Sequence, residues 1–158
     1  MKATPQQIEA ALLAAGKEAQ RGVHEEGGNN RGHRVEEYLR SVGLGPGYPW
    51  CASFVNWSLE QAGVKVGPDS GATIVWRNWA RSHSYTVNEP RRGDLFGWTN
   101  ADGTGHIGWV AEVRGKRIRT VEGNTNKEGS REGDCVLSKW RTPTGKYWFI
   151  RLVGAETR

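Results

Sequence analysis

Apolar positions in the first half of the chain recur every three to four residues, and in the second half they alternate. Ile8, Leu12 and Leu13, with Ala11 and Ala15, fall on one side of a helix. Thr4, Pro5 and Gln7 precede it: a capping hydroxyl, a proline for the first turn and a partner for a capping box, which predicts a helix from Pro5 to about Gln20. Val35, Tyr38, Leu39 and Val42 mark a second helix up to Gly43. Phe54, Val55, Leu59 and Ala62 mark a third that ends at Gly63, and Ile74, Val75 and Trp79 a short fourth over residues 72–81. The glycine- and asparagine-rich stretch Gly27–Gly32 is a loop by composition, and Gly45-Pro46-Gly47 turns the chain into the third helix.

After Pro90 the period changes from helical to alternating. Strands are predicted at Asp94–Trp98, His106–Val113, Arg117–Val121, Cys135–Trp140 and Lys146–Val153, with a turn at Arg114-Gly115-Lys116 and a turn-rich loop over Asn100–Gly105. Helices first and antiparallel strands afterwards describe an α+β fold, its N-terminal helices packed on a C-terminal antiparallel sheet. The length of 158 residues favours one domain across the whole chain.

Composition narrows the function classes. Hydrophobic residues make up 36 % of the chain, a modest share, and eight tryptophans supply much of the volume a core needs. No apolar run approaches the roughly 18 residues that span a bilayer, so no stable membrane insertion is expected. Charges interrupt the N-terminal segment, which is therefore no signal-peptide core. The expectation is a monomer made in the cytoplasm that another factor releases to its place of action. Two cysteines imply neither a disulfide framework nor a zinc site. The net charge of +5 favours polyanionic surfaces in general, nucleic acid or an anionic cell wall among them. No recognition motif supports nucleic acid, and it is not expected as a partner.

Cys51 carries the candidate chemistry. It follows Tyr48-Pro49-Trp50 and stands in the first turn of the third predicted helix. The N–H groups and positive partial charge of a helix start favour a thiolate over a thiol, although a free cysteine is also a common packing residue. A second cluster comes from the hairpin. A turn of two or three residues sets His106 opposite Gly123 or Asn124, beside Asn124 and within reach of Glu122. Glu122 and Asn124 are two apart and share a face if the strand stays extended. In that arrangement His106 takes a thiol proton and returns it to a leaving amine. Glu122 or Asn124 orients the ring, and the Cys51 backbone N–H donates to an oxyanion. Tyr48, Trp50 and Trp109 lie near these residues in the sequence and are candidates for lining a substrate groove, whereas Trp76, Trp79 and Trp98 suit the core. Cys135 opens a strand and reads as a packed thiol. His24, His33 and His83 read as solvated.

At these residues the chain resembles the CHAP domain, the cysteine- and histidine-dependent amidohydrolase/peptidase family with a papain-like core. The resemblance rests on Trp50-Cys51-Ala52-Ser53-Phe54-Val55, Gly93-Asp94-Leu95-Phe96, Gly105-His106-Ile107-Gly108 and Glu122-Gly123-Asn124, in the family's order, and extends from about Gly22 to Val153. Glu26-Gly27-Gly28-Asn29-Asn30-Arg31-Gly32 adds a likeness to phage lysins and bacterial wall hydrolases. The resemblance implies hydrolysis of an amide bond in bacterial peptidoglycan, either the muramoyl–L-alanine bond or one in the stem peptide or cross-bridge. Cys51 would be the nucleophile, His106 the base, Glu122 its partner and Asn124 a further polar residue of the site. The alternative is a non-catalytic, basic wall-binding module with the same fold. Trp50 stands where many relatives carry a Gln. Some relatives bind calcium through an acidic loop before the nucleophile, but here that loop has no Asp-x-Asp run, so neither a metal nor another cofactor is expected.

Overall fold

The computed structural model describes residues 1–125 and 133–158. Four helices come first: α1 (Pro5–Arg21), α2 (His33–Arg40), α3 (Cys51–Gln61) and α4 (Thr73–Ser82). The strands β1 (Thr86–Val87), β2 (Leu95–Thr99), β3 (Gly105–Arg114), β4 (Arg117–Thr125), β5 (Cys135–Arg141) and β6 (Trp148–Ile150) follow. They form one antiparallel sheet in the order β1-β6-β2-β3-β4-β5. The α+β reading holds. The two-residue β1 was not anticipated, because a strand that short carries no period of its own; it exists by pairing Thr86 with Ile150 and Val87 with Phe149.

The predicted capping box starts α1. The Thr4 hydroxyl accepts from the Gln7 N–H at 3.1 Å and the Gln7 side chain accepts from the Thr4 N–H at 3.0 Å. One turn before its end, α1 buries Glu18 completely. A buried carboxylate is tolerable only when its lone pairs are filled. Here Arg21 donates at 2.6 Å, Arg34 Nε at 2.8 Å and the Tyr38 hydroxyl at 2.8 Å, which ties α1 to α2. Tyr38 then stacks on Trp50 and meets Phe54 and Trp57 edge-on, so α2 holds the start of α3 in place.

Alternation gives the sheet two apolar faces. Leu95, Ile107, Trp109, Ala111, Val121 and Ile150 belong to the core shared with the helices. Phe96, Trp98, Val110, Ile118 and Phe149 form a second cluster, joined by Tyr147. The β3–β4 hairpin closes through the two residues Gly115 and Lys116, since Arg114 pairs with Arg117. A bulge between Val110 and Glu112 then shifts the register by one, and Trp109 pairs with Val121. One residue further along that register Glu122 stands opposite Gly108, where a Cβ would lie 3.0 Å from the Glu122 side chain. Without the bulge, Glu122 would fall opposite Trp109, on the face turned to the helices and away from His106.

Candidate active site

The loops before α3 are built to present Cys51. Asn30 adopts a left-handed φ of 57° and exchanges hydrogen bonds with Gly47: its carboxamide donates to the Gly47 carbonyl at 3.3 Å and its own carbonyl accepts from the Gly47 N–H at 3.0 Å. The Gly27–Gly32 loop thereby braces the turn that leads into α3. The indole of Trp50 donates to Glu25 at 2.9 Å. The helix start is pressed onto β4, where a Cβ at Gly123 would lie 2.7 Å from Phe54 and 2.9 Å from the Trp50 ring, so only glycine permits the approach. Cys51 is thus set at the first residue of α3, its backbone N–H left unpaired by the helix.

His106 and Glu122 are both fully buried and meet across β3 and β4, with Nε2 of the imidazole 2.8 Å from Glu122 Oε1. A carboxylate accepts only, so Nε2 carries a proton. That leaves Nδ1, buried and without another hydrogen-bond partner, for the Cys51 thiol. Among the described residues Glu122 has four further donors. Arg141 from β5 reaches it with Nε at 2.6 Å and Nη2 at 2.7 Å, the Thr120 hydroxyl at 2.5 Å and the Thr125 hydroxyl at 3.2 Å. The Arg141 guanidinium lies over the rings of Phe96 and Trp98, which seals the charged cluster under the second apolar face.

The charges follow from these contacts. Burial disfavours the Glu122 carboxylate, but Arg141 and then His106 outweigh it and hold the group well below the usual carboxylate range. Burial likewise pulls the His106 imidazolium down, yet Cys51 and Glu122 raise it overall. At Cys51 burial pushes the thiol up. His106, the Thr73 hydroxyl and the Ile107 N–H reverse that, and the thiol ends below its ordinary value. A thiol brought down beside an imidazole brought up is the direction that favours moving the proton from sulfur to ring, toward a thiolate–imidazolium pair. Such a pair attacks an electrophilic carbon and delivers a proton to the departing group.

Cys51 opens on a cleft of about 420 Å³. Val42, Leu44, Tyr48, Pro49, Asp69–Thr73 and Gly103–Gly105 line it.

Residues 43–124 match the family described as the CHAP domain, about half of the chain. This chain belongs to the CHAP family. The matched span starts just before α3 and ends at Asn124, so it holds the helix that opens with Cys51 and the hairpin that carries His106 and Glu122. Among solved structures, the crystal structure of Ly7917 is similar at 15 % identity and a TM-score of 0.49, over 90 % of this chain and 61 % of that one. The crystal structure of Ly7917 with the hydrolyzing product of MDP is similar at 13 % identity and a TM-score of 0.46, over 92 % and 63 %. The chain thus spans about three fifths of the solved chains it matches.

Within this CHAP domain the sequence-based site residues fall into two groups. Cys51, His106 and Glu122 converge, and Tyr48 lines the cleft, half-exposed. Trp50 and Trp109 are corrected: both are fully buried in the core under the helices and line no groove. Trp50 points back into the aromatic stack of Tyr38 because it precedes the helix on its inner side, and Trp109 sits on the helix-facing side of β3. Asn124 is buried near the end of β4. Its φ of 52° breaks the extended geometry, so Thr125 shares the side of Glu122 in its place. Arg141, Thr120, Thr125 and Thr73 were not anticipated. No spacing rule in the sequence links Arg141 to Glu122. Cys135 is a half-buried strand thiol that donates to the Thr125 carbonyl, and burial with Asp134 nearby pushes it up to about 11. Among the described residues no group of His, Cys, Asp or Glu stands where it could hold a metal ion, and no helix is long and apolar enough to cross a membrane.

Proposed function

We propose that this CHAP domain hydrolyses an amide bond of bacterial peptidoglycan through a Cys51 thioester. The observation that carries the reading is the His106–Glu122 pair, fully buried at 2.8 Å and beside a thiol that opens on a cleft. The Cys51 thiolate attacks the amide carbonyl carbon and the oxygen takes the charge, facing the Cys51 N–H. The His106 imidazolium gives its Nδ1 proton to the amide nitrogen, the C–N bond breaks, and the amine leaves. A water then loses a proton to the now neutral Nδ1 and attacks the thioester carbonyl. The C–S bond breaks, the acid departs and the thiolate–imidazolium pair is restored. Glu122 keeps the imidazole in one orientation and supports its charge, and the buried Asn124, two residues beyond Glu122, is a further polar residue of the site.

A muramoyl–L-alanine amidase and a stem-peptide or cross-bridge endopeptidase both use this chemistry. A phage-type lysin acting as a monomer, delivered to the wall by another factor, suits the basic charge and the family. The test is purified peptidoglycan incubated with the parent and with Cys51→Ala, followed by mass spectrometry of the soluble products. The parent should release new amino termini, with the masses naming the bond, and the variant should release none. Equal release by the two would sink the mechanism. Binding to walls without release by the parent would favour a wall-binding module instead.

A further inference from the structure

The residue before Cys51 offers no donor to an oxyanion at the cleft, because the Trp50 side chain is buried in the core with its indole N–H donating to Glu25. We propose that the Thr73 hydroxyl is the side-chain donor of the oxyanion hole, opposite the Cys51 backbone N–H. The inference rests on the thioester reading above.

Thr73 is the first residue of α4 and is more than nine-tenths buried, yet it lines the cleft beside Cys51. Its Oγ1 stands 3.6 Å from Cys51 Sγ. Among the described residues that sulfur is its one polar contact. The hydroxyl is not spent on capping, since the N-cap of α4 is Ala72, with no side-chain cap bond. The methyl faces the other catalytic strand: a Cβ at Gly105, next to His106, would lie 3.2 Å from Thr73 Cγ2. With the methyl turned to β3, the hydroxyl is left for the cleft.

The segment that carries Thr73 is held on both sides. A Cβ at Gly71 would lie 2.9 Å from Leu44 Cδ1 and 3.0 Å from Ser53 Oγ, so the backbone there is packed directly onto α3. The Trp76 indole donates to the Ser70 carbonyl at 2.8 Å, and the Ala72 N–H donates to Ser70 Oγ at 3.1 Å. An oxyanion donor must be in place before the charge develops, at about 2.7–3.1 Å from the oxygen and not from the sulfur. In the tetrahedral adduct that oxygen is two bonds from Sγ. A hydroxyl 3.6 Å from Sγ therefore stands within reach of it.

The test uses Thr73→Val, which keeps the shape and removes the donor, and Thr73→Ser, which keeps the donor. Soluble muropeptides that contain both candidate bonds are the substrate. Alkylation of Cys51 by iodoacetamide is the control, because it consumes the thiolate but forms no oxyanion. Thr73→Val is expected to lower kcat by roughly 10²–10³-fold with KM unchanged, on the scale of one lost oxyanion donor. Its alkylation rate, taken at the high-pH plateau where the thiolate is fully formed, should stay near the parent's, and Thr73→Ser should keep most of kcat. The proposal is overturned if Thr73→Val hydrolyses at the parent rate, if alkylation slows in parallel with hydrolysis, or if Thr73→Ser is as impaired as Thr73→Val. Failure of the underlying thioester reading would show separately, as equal hydrolysis by the parent and Cys51→Ala.

Discussion

Glu122→Gln is the perturbation whose cost the structure specifies most fully. The carboxylate takes five hydrogen bonds: one from His106, two from Arg141 and one each from Thr120 and Thr125. Its side chain is fully buried and that of Arg141 is 10 % exposed, so the pair is screened by protein and not by water. A glutamine of the same shape offers one oxygen and one NH₂. Whichever way the amide turns, its NH₂ meets donors, and the guanidinium loses the carboxylate charge that both its Nε and Nη2 reach. Removing one partner of a buried ion pair costs about 3–5 kcal/mol, against about 0.2–1 kcal/mol for an exposed pair. Unfolding free energies run to about 5–15 kcal/mol, so the loss is a large share of the total. Equilibrium urea unfolding followed by tryptophan fluorescence measures it, and a thermal midpoint lowered by roughly 6–20 °C is the corresponding shift for a chain of this size. Arg141→Met supplies the internal control. Glu122→Gln/Arg141→Met should be less destabilised than the sum of its parts by at least about 1 kcal/mol, because each single change breaks the same buried contact and the double breaks it once. A single-variant loss under about 1 kcal/mol with additive behaviour in the double would refute the claim that this cluster is a sealed, mutually dependent unit.

Two further outcomes follow from the charges. At pH 7 iodoacetamide should modify Cys51 at least roughly tenfold faster than Cys135, because only the first thiol is brought down by its neighbours while the second is pushed up to about 11; peptide mapping of partly labelled protein reads the order, and faster labelling of Cys135 would contradict it. Hydrolysis should fall as pH rises through about 9, where His106 gives up the proton that the leaving amine needs, and Glu122→Gln, which removes one of the groups raising the imidazole, should move that alkaline limb to lower pH. Rate and not stability is the measurement to use. Raising His106 adds a proton to the folded state between 6.5 and about 9, while lowering Cys51 removes one below 9.0, so over much of that window the two linkage terms oppose each other. An alkaline limb left in place by Glu122→Gln would show that Glu122 does not support the imidazolium.

What could be read without coordinates was whatever neighbouring residues decide among themselves. The capping box of α1, the α3 start at Cys51 and the hairpin that brings His106 toward Glu122 all depend on spacings of a few residues and on turn chemistry. The boundaries of the long elements came out within a few residues for the same reason. The two-residue β1 did not, since pairing across the sheet creates it. Trp50 and Trp109 show the limit from the other side. Proximity to Cys51 and His106 along the chain suggested a groove, but the side of the helix start and the face of the strand turned both into the core.

The sequence by itself determined an α+β order of elements, a thiol at a helix start and a hairpin that brings a histidine and an acid to one end, because these follow from local period, caps and turns. Only the tertiary structure decided which face each side chain takes and what stands across from it. One bulged residue in β3 puts Glu122 on the side of His106. Arg141, 19 residues beyond Glu122, holds that acid ionised, and Thr73, 22 residues beyond Cys51, reaches the sulfur. These are contacts between elements distant in the chain, and the packing of one surface against another selects them where no spacing rule does.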